Sequence, residues 1–210
     1  MCTYNNKKFS ILGDSISTLE GYNPKENGVF YEGVNRVLAE IFRPGDTWWG
    51  RVIDDLGGEL LANESFSGST VCNHPEYEIE SYGSSDTRTG ALGRNGILPD
   101  VVMVFIGTND RGRRFPTELF HTEYRLMLEK IKKNAPSAEL WCINLPRSAS
   151  GDVYCKAIAR AAEECGGRLL DISSIDYTTI DELHPDSKGM KIIAEAVLSA
   201  LKTQRGDILK

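Results

Sequence analysis

Residues Val101-Val-Met-Val-Phe-Ile106 form an unbroken apolar run between Asp100 and Gly107. A strand with no polar face has water on neither side, which is the pattern of a parallel sheet covered by helices above and below. The chain must then supply more strands and the helices to cover them. Phe9–Leu12, Leu60–Asn63, Leu140–Ile143 and Arg168–Ile172 read as the other strands, and Asp100–Ile106 is the most apolar of the five. Between them lie helical stripes. Trp48, Trp49, Val52, Ile53 and Leu56 mark a helix from Asp46 to Leu56, with Asp46 available to cap its start and Gly57 its end. Phe120, Tyr124, Met127, Leu128 and Ile131 mark a second that stops near Asn134. Tyr154, Ile158, Ala161, Ala162 and Cys165 mark a third, and Met190, Ile193, Ala194, Val197, Leu198 and Leu201 the last. Strands alternating with helices predict an α/β fold with a mostly parallel five-stranded sheet, and all 210 residues are read as one domain.

Two stretches break the alternation, 20–45 and 72–99. Both exceed a routine connection. The first carries Tyr22, Phe30, Tyr31 and Phe42, the second is rich in Gly, Ser and Asn, and both follow the carboxyl ends of early strands. Ligands of open α/β sheets bind at that edge, so both stretches are expected to form pocket walls.

Four short segments carry chemistry: Gly13-Asp14-Ser15, Ser67-Gly68, Gly107-Thr108-Asn109-Asp110 and Asp181-Glu182-Leu183-His184. Ser15 follows the first strand where a helix can begin, so its own N–H can face an oxyanion. Asp181 lies three residues before His184, close enough for its carboxylate to reach one imidazole nitrogen while the other points away. Pro185 and a capping Asp186 would fix this loop at the start of the last helix. Asn109 offers a side-chain N–H of the kind that contributes about 2.7–4 kcal/mol to a developing oxyanion, and Gly68 offers an unobstructed backbone N–H. His121 lies off the apolar stripe of its helix and His74 beside Pro75, and neither is read as functional.

These segments resemble those of the SGNH hydrolases, the GDSL esterase/lipase family. The family's Ser, Gly, Asn and His fall on Ser15, Gly68, Asn109 and His184, and its acidic partner on Asp181. Asn63-Glu-Ser-Phe-Ser-Gly-Ser-Thr70 resembles the family's second block and His184-Pro-Asp-Ser-Lys-Gly-Met190 its last, with Ile16 standing where the family name implies Leu. The resemblance implies a flavodoxin-like three-layer α/β/α sandwich, ester hydrolysis through an acyl-enzyme, and neither metal nor cofactor.

The expected activity is thus a serine esterase: Ser15 attacks, His184 acts as base beside Asp181, and the Ser15 N–H, Gly68 N–H and Asn109 side chain hold the oxyanion. A short acyl ester, such as acetyl on a carbohydrate, is the expected substrate, with Tyr22, Trp48 and Trp49 available to stack on sugar faces and Arg88 as a further contact. The same serine would serve an acyltransferase if an alcohol replaced water. A non-catalytic binder of anionic ligands through Arg88 or Arg94 is the reading from another class, and the complete five-residue set counts against it.

Other classes lack their signatures. No Gly-x-Ser-x-Gly, phosphate loop, Gly-x-Gly-x-x-Gly after the first strand or His-Glu-x-x-His occurs. A net charge of -6 argues against nucleic acid or an anionic membrane, and the run Arg111, Arg113, Arg114 is too short to reverse that, reading as a solvated loop. Five cysteines without Cys-x-x-Cys, no apolar leader after the first residues, and no apolar run of about 18 residues give a cytoplasmic expectation with no membrane insertion.

Overall fold

The computed structural model describes residues 4–73 and 82–208. Its five strands are β1 (Lys8–Gly13), β2 (Glu59–Asn63), β3 (Val101–Phe105), β4 (Glu139–Ile143) and β5 (Arg168–Leu170). They form one sheet in the order β2-β1-β3-β4-β5, each neighbouring pair parallel. This is the flavodoxin-like order, which reverses direction between β1 and β3 and opens a crevice there at the carboxyl edge.

Side-chain alternation along each strand makes two cores. Phe9, Ile11, Val101, Met103, Phe105, Trp141 and Ile143 face one side, against α2 (Trp48–Leu56) and α7 (Ser187–Ile208). Leu12, Val102, Val104, Ile106, Leu140 and Cys142 face the other, against α5 (Thr117–Asn134) and α6 (Val153–Glu164). Met190, Ile193, Ala194, Val197 and Leu201 supply the buried stripe of α7. Each such apolar side chain stabilises the fold by about 1.5–3 kcal/mol on burial. Cys72, Cys142, Cys155 and Cys165 are free thiols, all buried.

Three short helices were not expected: α1 (Gly33–Ala39) and α3 (Asp86–Gly90) inside the two long connections, and α4 (Thr108–Arg113) after β3. The basic run is therefore helical rather than a loop, with Arg113 and Arg114 exposed to solvent and Arg111 half-buried. Arg111 donates to Ser148 Oγ at 2.7 Å and to the Pro146 carbonyl at 3.2 Å, tying α4 to the connection after β4.

Two helix and strand ends also differ from expectation. Thr47, rather than Asp46, caps α2, accepting the Gly50 N–H at 3.0 Å. Asp46 is engaged earlier, where its carboxylate accepts the Phe42 and Arg43 N–H groups. β5 stops at Leu170, because the Asp171 carboxylate accepts the Ser173 N–H at 3.0 Å and turns the chain. The capping of α2 by Gly57 at φ 70° and of α7 by Asp186, which accepts the Gly189 N–H at 2.8 Å, follows the sequence reading.

The central strand sets a stability test. Met103→Ala should cost about 2–5 kcal/mol, because it opens a cavity in a fully buried layer. Val34→Ala on α1, where the side chain is 70% exposed, should change stability by no more than about 0.5 kcal/mol. Urea unfolding midpoints at constant slope measure both, and equal losses would contradict the two-core packing.

Candidate active site

Ser15 opens a 3₁₀ turn, Ser15–Ser17, directly after β1, and the Asp14 carboxylate caps it by accepting the Ile16 N–H at 3.1 Å. Three residues make too short a helix for a macrodipole, so any stabilisation of negative charge here comes from discrete N–H groups. Gly13 is required by crowding: a β-carbon there would lie 2.7 Å from Ser17 Oγ and 2.8 Å from Ser65 Oγ. The turn is clamped from below. Trp48 Nε1 donates to Ser17 Oγ at 3.1 Å, while Trp49 Nε1 at 3.0 Å and Asn63 Nδ2 at 2.9 Å donate to the Ser17 carbonyl. Both tryptophans are completely buried, so neither presents a face to a sugar. They hold the Ser15 turn instead.

His184 reaches this turn from the loop before α7. Its Nδ1 lies 2.6 Å from Asp181 Oδ2 and its Nε2 2.8 Å from Ser15 Oγ. With the Nδ1 proton directed at the carboxylate, Nε2 accepts the Ser15 hydroxyl. Asp181 Oδ1 also accepts the His184 N–H at 2.7 Å and the Leu183 N–H at 3.2 Å. Burial pulls the Asp181 carboxyl upward, but these N–H groups and the imidazole together hold it below its usual range.

Three side chains that the sequence did not assign to the site support the histidine. The Phe30 ring stacks on the imidazole at 3.4 Å and 13°. Tyr31, fully buried, donates its hydroxyl to the Pro185 carbonyl at 2.8 Å. Arg147 donates to Asp176 at 2.6 Å, to the Glu182 carbonyl at 2.7 Å and to the Tyr177 carbonyl, bracing the loop from the far side. The aromatic content of 20–45 was the one sequence signal for Phe30 and Tyr31. Arg147 gave none.

The donors lie at the ends of the three strands around the crevice. The Ser15 and Gly68 N–H groups donate to no other group among the described residues. Gly68 sits at φ +79° with open space around its missing side chain, so backbone conformation and not crowding demands glycine there. Asn109 Nδ2 donates one hydrogen to the Ser69 carbonyl at 2.8 Å, leaving its second amide hydrogen for another acceptor. The next residue, Asp110, accepts the Val71 and Cys72 N–H groups at 2.8 and 3.1 Å, so α4 and the connection after Gly68 are joined twice.

The remaining candidates separate. Arg88 is 2% exposed and bonded to protein groups, so it is not a substrate contact. Tyr22 is 43% exposed with its ring 6.1 Å from Trp49. It lines a cleft of about 500 Å³ along edge strand β2, together with Asn23, Asn63, Glu64 and Arg94, and no triad residue lines that cleft. His121 is buried, 3.2 Å from Glu164 between α5 and α6 and remote from Ser15. His74 lies outside the described residues. Among the described residues, no group of three or more His, Cys, Asp or Glu could hold a metal ion, and no helix is long and apolar enough to cross a membrane.

A 2-1-3-4-5 parallel sheet with a hydrogen-bonded Ser–His–Asp line at its carboxyl edge defines a class, the SGNH-type α/β hydrolases. The chain belongs to the GDSL-like lipase/acylhydrolase family, whose model matches residues 7–201. It is similar to a GDSL-like lipase of Bacteroides ovatus (26% identity, TM-score 0.78, 95% of this chain and 99% of that one). It is also similar to a GDSL-like lipase of Bacteroides uniformis (27% identity, TM-score 0.77, 94% and 96%). A family two carbohydrate esterase from Clostridium thermocellum, in complex with cellohexaose, shares the fold at 19% identity and TM-score 0.67, covering 97% of this chain and 66% of that one. A search of curated proteins finds no match. The protein is thus an ester hydrolase of the SGNH type.

Burial around His184 has a measurable consequence. It lowers the imidazole pKa from 6.5, outweighing the upward pull of Asp181. A depressed histidine pKa leaves the ring neutral further into acid, so kcat/KM should rise through one ionisation centred below 6.5 and stay level above it. Phe30→Ala re-solvates the ring and should move that limb to higher pH. A limb unmoved by Phe30→Ala would show that the stacked ring does not set the desolvation.

Proposed function

We propose that the protein hydrolyses esters through an acyl-enzyme formed on Ser15. The carrying observation is the unbroken line from Asp181 through His184 to Ser15, with steps of 2.6 and 2.8 Å, beside two backbone N–H groups that are unpaired among the described residues. His184 Nε2 takes the Ser15 proton as Oγ attacks the ester carbonyl. The Asp181 carboxylate fixes the imidazole tautomer and stabilises the imidazolium. The carbonyl oxygen, now negative, accepts from the Ser15 N–H, the Gly68 N–H and the second Asn109 amide hydrogen. His184 then returns the proton to the leaving alcohol, and the same base activates water to release the acid. No step calls for a cofactor.

The substrate reading rests on the cleft along β2, which no triad residue lines. Of the three aromatics expected to stack on sugars, only Tyr22 is open to solvent, on a cleft that also carries Glu64 and Arg94. A short acyl ester of a carbohydrate suits a cleft of mixed polar and apolar lining with one stacking ring, and a family two carbohydrate esterase shares this fold.

A mutation series tests the mechanism. Ser15→Ala and His184→Ala should each abolish most activity and combine non-additively, because they act as one unit. Asn109→Ala should lose about 10²–10³ in kcat with KM little changed. Asp181→Asn should fall between them, the tautomer being wrong while the geometry survives. A fluorophosphonate should label the wild type at Ser15 and fail to label Ser15→Ala. Comparison of aryl acetate with longer acyl esters and acetylated oligosaccharides reads the substrate class. Full activity in Ser15→Ala would remove the acyl-enzyme, and a wild type with neither esterase activity nor fluorophosphonate labelling would return the binding-protein reading.

A further inference from the structure

We propose that Arg88 is the positioning residue of the oxyanion hole: one buried guanidinium joins the loops that carry the Ser15 and Gly68 donors and, through Ser69, reaches the Asn109 amide. The inference rests on the reading of Ser15 as nucleophile. Arg88 projects from α3, inside a connection remote in sequence from all three donors. Its Nη2 donates to the Gly13 carbonyl at 2.7 Å and to the Glu64 carbonyl, its Nε to the same Glu64 carbonyl at 3.1 Å, and its Nη1 to Ser69 Oγ.

Each acceptor stands next to the hole. Gly13 lies two residues before Ser15, at the end of β1. Glu64 directly follows β2. Ser69 follows Gly68, and its carbonyl is the acceptor of the Asn109 side chain at 2.8 Å. The Ser15 N–H, the Gly68 N–H and the Asn109 amide are therefore each within two residues or one hydrogen bond of an atom that Arg88 holds. Gly13 O also accepts the Phe66 N–H at 3.2 Å, so the first two loops are tied on both sides of the guanidinium.

A lysine cannot reproduce this. Three acceptors on two chain segments, Gly13 on one and Glu64 and Ser69 on the other, need the planar fork of a guanidinium, whereas an ammonium is a point charge on a flexible stem. Burial pulls the Arg88 pKa down to about 10, with Glu64 and Asp14 opposing it, so the side chain stays charged at neutral pH. Arg88 touches no reacting atom in this scheme. It acts only by fixing donors whose value depends on being in place before charge develops.

The test compares Arg88→Lys and Ser69→Ala with the wild type. Ser69→Ala removes one acceptor and keeps the guanidinium, so it remains informative if Arg88→Lys fails to fold. Melting curves establish which variants are folded. In folded variants kcat should fall by up to the roughly 10²–10³-fold that one oxyanion donor is worth, with KM little changed. The rate of fluorophosphonate reaction at Ser15 should fall in parallel, since the phosphonyl oxygen occupies the same hole. The acid limb of the pH profile should stay in place, because His184 and Asp181 are untouched. Combination with Asn109→Ala should cost less than the product of the single losses. Folded variants with wild-type kcat and labelling rate would overturn the proposal, as would a loss confined to KM or a displaced acid limb. Failure of the underlying mechanism reads differently, as activity that survives in Ser15→Ala.

Discussion

The hydrogen bond between Ser15 and His184 spans 169 residues and brings the first strand of the chain against the loop before its last helix. It forms only if both sides are fixed independently to within a few tenths of an ångström. The serine side is fixed from beneath, by two indole N–H groups and an asparagine amide that converge on Ser17. The histidine side is fixed from its flanks, by Tyr31 on the Pro185 carbonyl, Arg147 on three loop acceptors, and the Phe30 ring lying flat on the imidazole. The two sets meet through residues 30–31, because Phe30 N–H donates to Thr18 Oγ1 at 2.9 Å, one residue beyond the serine turn.

Charge is managed at the same edge by neutralisation and by hydrogen bonding. Burial pushes the Asp14 carboxyl up to about 6 and the Glu64 carboxyl up to about 7, with the Arg88 guanidinium pulling both back. Asp110, also raised by burial, is held by two backbone N–H groups. Buried charges stabilise a fold weakly but penalise loss of a partner strongly. An edge built this way tolerates little displacement, and that rigidity suits donors that must be placed before the reaction begins.

The sheet was legible because each strand buries both faces or one, and its apolar pattern reports which. Val101–Phe105 shows the clearest case, since its alternate residues divide between two cores that the sequence could not separate. The residues of the candidate line were legible because a serine, an asparagine and a histidine each sit beside a strand end or helix start with the right neighbours. Phe30, Arg88 and Arg147 were not legible in these roles, since each acts through tertiary contacts with no local signature. Helix α1 escaped for a different reason. Its Val34, Val37 and Leu38 are 70%, 60% and 63% exposed, so the stripe that would mark a buried face points outward instead. Aromatic content near the site offered Trp48 and Trp49 as faces for a sugar, although adjacent positions on a helix point at least one of them to the core. The structure uses both by giving each N–H its own acceptor on Ser17.

The two long connections wall the cleft along β2, as the sequence suggested, through Tyr22 and Asn23 from one and Arg94 from the other, and each does further work. Residues 20–45 supply the ring against His184 and the hydroxyl that anchors its loop, so they bear on the basicity of the imidazole. The described part of 72–99 supplies Arg88 to the interior, so it bears on the backbone around the donors. Neither is only a pocket wall. Of the candidate residues, Ser15 and Asn109 follow strand ends, where the sheet register fixes them relative to one another, while Asp181 and His184 sit on the loop before α7 and are held by side chains from the connections. Changes in those connections can therefore alter rate as well as substrate choice, because Phe30 and Arg88 bear on the environment of His184 and on the placement of the Ser15, Gly68 and Asn109 donors.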